Sequence, residues 1–535
     1  MNRQGRVLIV DDLEKWRKEL VSILQREGYA TVSADTAASA FAHLQTEIYH
    51  VAVLDIRLVD LDQNNTDGID LLRDLGKRGL HEATRIIILS AYGTQEHMRE
   101  AFKDYRVADF LSKNHFTRKG FLESVHHVFL NEALINLKLD IHWQQVRGPE
   151  QVVYNLELGG IRLRRNADLQ NQIALELDDL LCRLFYTAES VMLRPFPTGP
   201  SGTGVLWAQP FYPNGGGRAV VVKFGDVQRI EQEADHFRKY VQPFVSGGRA
   251  TSILAQRRTP HLGGITYSLL GADKDQWEDF GAYYRHASTQ QIMAVLDHLF
   301  LDTCGAWYAN PGQLQPYDLT SGYQRTLGFT QENLDAALLN LQKSVKGRQK
   351  LSFTGLHQER LFTNPLLKVE ERSLMRSTYS CITHGDFNQH NILIDSSGHS
   401  WLIDFQATSP GHVLRDVAQL DSEIRFGLLA AHEASLDEIL HMEEVLCQAN
   451  LFSEIPQLAT QLTSLNQTLT KVCTVIVHLR ALARKLIAQK PDDDVSEYYI
   501  ALFYYAINTL RFYTVPSPQR EHALICASLL ADRLK

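Results

Sequence analysis

The chain has 535 residues, 44% hydrophobic and 22% charged, and about 150 residues per domain predicts three or four compact units. Those proportions exclude a disordered or collagen-like chain. The 54 basic and 62 acidic residues give a net charge of −8, with no Lys/Arg-rich run, so a nucleic-acid-binding face is not expected. Cys182, Cys304, Cys381, Cys447, Cys473 and Cys526 form no CxxC pair, which predicts buried free thiols rather than disulfides or a zinc site. MNRQGRVLIVDD holds no signal-peptide core, and no stretch reaches the roughly 18 apolar residues of a membrane span, so a soluble, cytoplasmic protein is expected.

RVLIV at 6–10 is a short apolar run ending in Asp11 and Asp12, as in strands buried on both faces of a parallel sheet. A helical pattern follows through Trp16, Leu20, Ile23 and Leu24. YATVSAD, HVAVLDIRL (50–58), TRIIILSAY (84–92) and VADFLSK (107–113) repeat the cycle. Five such runs alternating with helices predict a doubly wound α/β sheet. The ligand site of such a sheet lies beyond the carboxyl ends of its strands. Asp11, Asp12, Asp55, Ser90 and Lys113 stand there. Three converging carboxylates favour a divalent cation, with Mg²⁺ the natural choice, while a lysine and a hydroxyl complete a phosphate site.

Residues 5–130 resemble the receiver domain of two-component response regulators. The resemblance implies a flavodoxin-like five-stranded parallel sheet, with Asp55 as phosphoacceptor and Asp11 and Asp12 beside it at Mg²⁺. It makes Ser90 and Lys113 contacts of the phosphoryl group and Phe110 the switch aromatic. Asn114 follows Lys113 where the family usually has proline, so a cis peptide is not expected there.

Residues 119–145 read as the last helix of this domain (1–130) running into an extended piece. VRGPEQ then breaks the pattern, and QVVYNLELGG suits either a strand or a linker. QIALELDDLLCRLFYTA (172–188) carries Ile173, Leu177, Leu180, Leu181 and Leu184 at helical spacing, so 131–185 is read as a connector with a helical joint.

A second chemical centre lies in CITHGDFNQHNILIDSSGHSWLIDFQ, 381–406. A loop with Asp386 and Asn391 leads into a predicted hairpin ending at Asp404, an oxygen-rich Mg²⁺ site beside a candidate general base. Phosphoryl transfer needs those parts. It also needs a nucleotide clamp. ESVMLRPF (189–196), a stretch with Gly199, Gly202 and Gly204, GVLWAQPFY and RAVVVKFG (218–225) with Lys223 read as three strands around a glycine loop. Ten residues on, Glu233 shares a helical face with Phe237 and Tyr240, a phase that suits pairing with Lys223. Glu231 is the competing choice.

This set resembles the protein-kinase-like fold of the aminoglycoside and choline phosphotransferase branch, over about 185–510. HxDxxxxN stands here as His384, Asp386 and Asn391, and IDF is at 403–405. The resemblance implies a bilobal domain: an N-lobe at 186–272 and a largely helical C-lobe at 273–535, with catalytic loop 384–391. Asp386 becomes the catalytic base, Asn391 and Asp404 the Mg²⁺ ligands, and Lys223, held by Glu233, the ligand of the ATP α- and β-phosphates. GGITYSLLGA (263–272) becomes the strand into the hinge. Gln406 follows IDF where protein kinases have glycine, and no APE-type segment is visible, so the usual peptide platform is missing. Asp416 is expected to support the loop structurally, and His384 likewise. The layout is also similar to kinase-like domains described as ternary-complex-associated in bacterial conflict systems.

The leading expectation is a phosphorelay-regulated, ATP-dependent phosphotransferase. A histidine kinase or phosphotransfer protein would phosphorylate Asp55, and the acceptor hydroxyl or partner protein is unidentified. The alternative is a nucleotide-binding pseudokinase that relays receiver phosphorylation to a partner. Receiver-mediated homodimers are compatible with both. A DNA-binding regulator is disfavoured, because no basic recognition helix follows the receiver.

Overall fold

Each apolar run at the amino end forms a strand in the computed structural model, in a 2-1-3-4-5 parallel sheet. The elements run β1 (Arg6–Val10), α1 (Glu14–Arg26), β2 (Ala30–Ala34), α2 (Ala37–Thr46), β3 (Val51–Leu54), α3 (Asp67–Lys77), α4 (Leu80–Ala83), β4 (Arg85–Ser90), α5 (Gln95–Asp104), β5 (Asp109–Ser112) and α6 (Arg118–His127). Strand alternation sends Leu8, Val10, Leu54 and Ile88 to one face and Val7, Ile9, Val53 and Ile87 to the other. Both faces are covered by helices, which is why these strands read as continuous apolar runs.

The structure describes residues 3–59, 65–92, 95–196, 202–244, 250–270, 277–341, 349–353, 355–370, 373–462 and 465–534. They fall into two compact units, Met1–Ala234 with Ser252–Leu269, and Asp235–Thr251 with Leu270–Lys535.

After the receiver the chain continues through β6 (Asp140–Trp143), α7 (Pro149–Val153), β7 (Glu157–Leu158), β8 (Ile161–Arg162), α8 (Ala167–Leu184), β9 (Ser190–Pro195), β10 (Gly204–Tyr212), β11 (Gly215–Gly216), β12 (Val220–Asp226), α9 (Val227–His236), β13 (Ala250–Arg258) and β14 (Leu262–Leu270). A second sheet runs β13-β14-β12-β10-β9-β6, with β11 on β10. The stretch at 151–160 is neither one strand nor a linker: α7 starts on Pro149 and leads into the β7–β8 hairpin. β6, inside the connector, pairs in parallel with β9.

The joint helix α8 is capped by Asn166, whose side chain accepts from the Leu169 amide. Its apolar stripe, Leu177, Leu180 and Leu181, packs with Val191, Leu193, Leu206, Val222 and Leu262 of the second sheet. Its polar side meets the first domain. His50 Nε2 lies 2.7 Å from Asp179, Arg183 bonds Asp179 at 2.6 Å and the Ala83 carbonyl at 2.6 Å, and Arg3 pairs with Asp178. Arg183 and His50 hold the Asp179 carboxyl far below the usual range against the opposing effect of burial.

The second unit is mainly helical. Ser496–Thr509 is buried almost throughout its length, as a helix at the centre of a bundle must be. Beside it lies a buried ionic network: Arg425 bonds Asp421 and Glu443, His522 meets Glu443 at 2.7 Å, and Tyr498 donates to Asp421. All six cysteines are buried free thiols. Among the described residues no helix is long and apolar enough to cross a membrane.

Candidate functional site

Parallel pairing of β1 with β3, Val10 beside Leu54, makes Asp11 and Asp55 leave the sheet as neighbours, and the Asp55 amide donates to the Val10 carbonyl at 2.9 Å. The ligand oxygens of Asp11, Asp12 and Asp55 lie within 4.8 Å of one another. Lys113, just beyond β5, places Nζ 2.5 Å from both Asp11 and Asp55. Burial pushes the Asp11 carboxyl up, with Asp55 adding to the push and Lys113 opposing it. Three hard carboxylate oxygens around one point fit Mg²⁺. Ser90 is buried at the end of β4, and Phe110 packs partly buried against the α2–α3 face. No described peptide bond is cis, the one before Asn114 included. One contact is not visible in the motifs: the Arg57 guanidinium lies 3.5 Å over the Tyr92 ring, joining the loops that follow β3 and β4.

In the second sheet Lys223 lies on β12, and its ammonium meets Glu233 of α9 at 2.6 Å with side chains 2% and 1% exposed. Tyr267 on β14 donates to the other Glu233 oxygen at 2.6 Å. Val221 pairs with Tyr267 across the strands, so Tyr267 and Lys223 share a face. Glu231 instead pairs with Arg258 at 2.6 Å. Two residues along a helix are about 200° apart, so one acid alone can face the lysine.

Two of the three predicted loop glycines lie against protein on the side where a Cβ would stand. Gly199 lies outside the described residues. Gly202 has φ +72, and a Cβ there would meet Glu157 of β7 at 2.7 Å. A Cβ on Gly204 would lie 2.2 Å from the Phe224 ring. Close approach at these two glycines is to protein.

In the second unit, Ile392–Ile394 pairs with Ser400–Leu402, and the Ile403 amide donates to the Asn391 carbonyl at 3.1 Å. The hairpin register therefore brings Asn391 beside the 403–405 segment. Asp404 has φ +69, a left-handed conformation costing a non-glycine residue on the order of 1–2 kcal/mol. Asn391 donates to Asp386 Oδ2 at 3.0 Å, and Asn388 and Gln419 donate to Oδ1 at 3.0 and 3.3 Å. Three carboxamides thus orient one partly exposed carboxylate.

Behind it, buried Asp416 accepts from the His384 and Gly385 amides at 2.8 and 2.9 Å and from Tyr308. Buried His384 bonds the Ile403 carbonyl at 3.0 Å. Both hold the loop. His390 pairs with Asp279 at 3.0 Å, and Gln389 donates to Glu423 at 2.7 Å. Burial pushes the Glu423 carboxyl up, Asp386 adds to the push, and Gln389 opposes it. Gln419 and Glu423 were not singled out from the motifs. Gln419 follows Asp416 by three residues on one helix, a spacing that points both toward the same loop.

Residues 7–125 match the response regulator receiver domain family. Residues 188–350 and 353–511 match the family described as Ternary complex associated domain 9. Over 110 residues the chain is 34% identical to protein-glutamate methylesterase/protein-glutamine glutaminase 2 of Koribacter versatilis, covering 20% of this chain and 28% of that protein. Over 111 residues it is 33% identical to the transcriptional regulatory protein ResD of Bacillus subtilis, covering 20% and 43%. The chain thus spans less than half the length of these curated relatives.

Among solved structures, a CheY-like receiver domain protein from Methanospirillum hungatei JF-1 is 25% identical, with TM-score 0.22, over 24% of this chain and 97% of that one. A Francisella response regulator receiver domain is 28% identical, with TM-score 0.21, over 24% and 98%. A receiver domain suggests phospho-aspartate signalling. The chain belongs to the Ternary complex associated domain 9 family and carries an amino-terminal response regulator receiver domain.

Proposed function

We propose that the chain is a phosphorelay-regulated, ATP-dependent phosphotransferase. Asp55 accepts a phosphoryl group from a histidine kinase or phosphotransfer protein, Lys113 and Ser90 contact its oxygens, and Phe110 reports the change. Asp11, Asp12 and Asp55 would hold one Mg²⁺, and Asn391 and Asp404 another. Bound Mg²⁺ supplies positive charge to phosphoryl oxygens. In the kinase-like part Lys223, oriented by Glu233, binds the α- and β-phosphates of ATP. Asp386, steadied by Asn388, Asn391 and Gln419, takes the proton of an acceptor hydroxyl as its oxygen bonds to the γ-phosphorus and ADP leaves.

The observation that carries this reading is the Lys223–Glu233 pair, buried at 2.6 Å. Apolar residues of similar volume commonly match or exceed the stability of a buried ion pair, so the pair points to a role beyond stability. The scaffold reading is favoured by a different observation: Gly202 and Gly204 are explained by contact with Glu157 and Phe224. A scaffold needs no phosphate cradle.

One experiment separates the two. Wild type, Asp386→Ala and Asp55→Ala are incubated with γ-labelled ATP and cell extract, with and without acetyl phosphate. The enzyme reading expects turnover or acceptor labelling that Asp386→Ala lowers by about a hundredfold or more. Its absence in wild type, or persistence in Asp386→Ala, overturns that reading. Asp55→Ala is expected to lose acetyl-phosphate labelling.

A further inference from the structure

Glu231, turned away from Lys223, bonds Arg258 Nη1 at 2.6 Å. Arg258 ends β13 and is 8% exposed. Its buried Nε finds no acceptor among the described residues, so a small displacement of the guanidinium breaks few bonds. The same Nη1 lies against the receiver: a Cβ built on Gly79 would be 2.4 Å away. Gly79 has φ +67 and lies between α3 and α4.

The other end of α3 abuts the phosphoacceptor. The Gly68 amide donates to the Ile56 carbonyl at 3.0 Å, and a Cβ on Gly68 would lie 2.2 Å from the Asp55 carbonyl oxygen. A helix of 11 residues, about 16 Å long, therefore runs from the Asp55 backbone toward the arginine that holds Glu231. Glu231 and Glu233 belong to the same short helix, α9. Close-packed interiors transmit displacements instead of absorbing them.

We propose that Arg258 is a positioning residue that couples the phosphorylation state of Asp55 to the Lys223–Glu233 pair. Movement of α3 reaches Arg258 at Gly79, and the Arg258–Glu231 bond passes it to α9, shifting Glu233 on the lysine. The inference rests on the reading of Lys223 and Glu233 as a nucleotide clamp and names how that clamp is regulated.

The test uses the full chain with Mg²⁺ and measures ATP affinity by displacement of a fluorescent ATP analogue, with and without beryllofluoride on the receiver. Beryllofluoride is expected to change the wild-type Kd about 5-fold or more. Arg258→Ala and Glu231→Gln should each reduce the change to less than about 2-fold, while acetyl-phosphate labelling of Asp55 stays at the wild-type level. The exchanged pair, Arg258→Glu with Glu231→Arg, should recover the response, which a purely structural role would not predict. An equal response in wild type and Arg258→Ala, or none in a wild type that binds ATP through Lys223, overturns the inference.

Lys223→Ala keeps the two readings distinct. If it binds ATP as wild type does, or if wild type binds none, the clamp reading fails. Hydrogen exchange of 227–236 then decides the coupling. Beryllofluoride should alter that exchange in wild type and leave it unchanged in Arg258→Ala, and an unaltered wild type overturns the coupling.

Discussion

Glu233→Gln removes a carboxylate 2.6 Å from an ammonium that is 2% exposed. Breaking a buried pair on one side costs about 3–5 kcal/mol, because a charge stays buried without its counter-charge. Gln keeps an oxygen for the Tyr267 hydroxyl, which bonds Glu233 at 2.6 Å, so the expected loss is at the lower end, about 3 kcal/mol. Replacing the whole group, Lys223→Met with Glu233→Leu and Tyr267→Phe, removes the charges and the hydroxyl together. That variant should return to within about 1 kcal/mol of wild type, yet bind no ATP. Hydrogen exchange of β12 amides across a urea series reads the stability locally, and analogue displacement reads the nucleotide. A single-variant loss below about 1 kcal/mol, or a triple variant as unstable as the single one, would refute the reasoning.

Glu443 and Glu497 are held down to about 2 in the folded state: burial pushes each up, but Arg425 and His522 outweigh it for Glu443, and His412 with Lys490 for Glu497. Depressed carboxylates add stability that is present above their unfolded value near 4.3 and lost as pH falls toward 2, on the order of 3 kcal/mol each. Urea midpoints of the helical unit should therefore drop steeply between pH 5 and pH 2, read at about one-unit steps, and a flat profile would contradict the assignment. Gly68→Ala places a Cβ 2.2 Å from the Asp55 carbonyl oxygen. Either α3 or Asp55 must shift, so acetyl-phosphate labelling should slow about tenfold or more; wild-type labelling would show that the contact relaxes freely.

The receiver was legible because its information is local. Apolar runs of strand length, each ending in a polar residue, determine both the sheet and which residues gather at its carboxyl edge. HGDxxxxN and IDF were legible for the same reason, since a hairpin of short reach joins Asn391 to the 403–405 segment. The helical phase of α9 by itself favours Glu233 over Glu231 as the partner of Lys223, and the contacts agree. The part played by the glycines was not legible: composition marks Gly202 and Gly204 as permissive backbone, but only their neighbours Glu157 and Phe224 show what uses the missing Cβ.

The sequence by itself thus determined the receiver sheet, the acidic cluster at its edge and the loop carrying Asp386, features set by alternation and short spacing. Only the tertiary structure decided that β6 joins the second sheet, that Gln419 and Asn388 steady Asp386, and that Glu231 belongs to Arg258. Except for Asn388, two residues from Asp386, those partners stand far apart along the chain, and only folding brings them together. The acids behind the net charge of −8 acquire positions in the same way: folding gathers Asp11, Asp12 and Asp55 at the receiver edge and sets Asp416 behind the loop that carries Asp386.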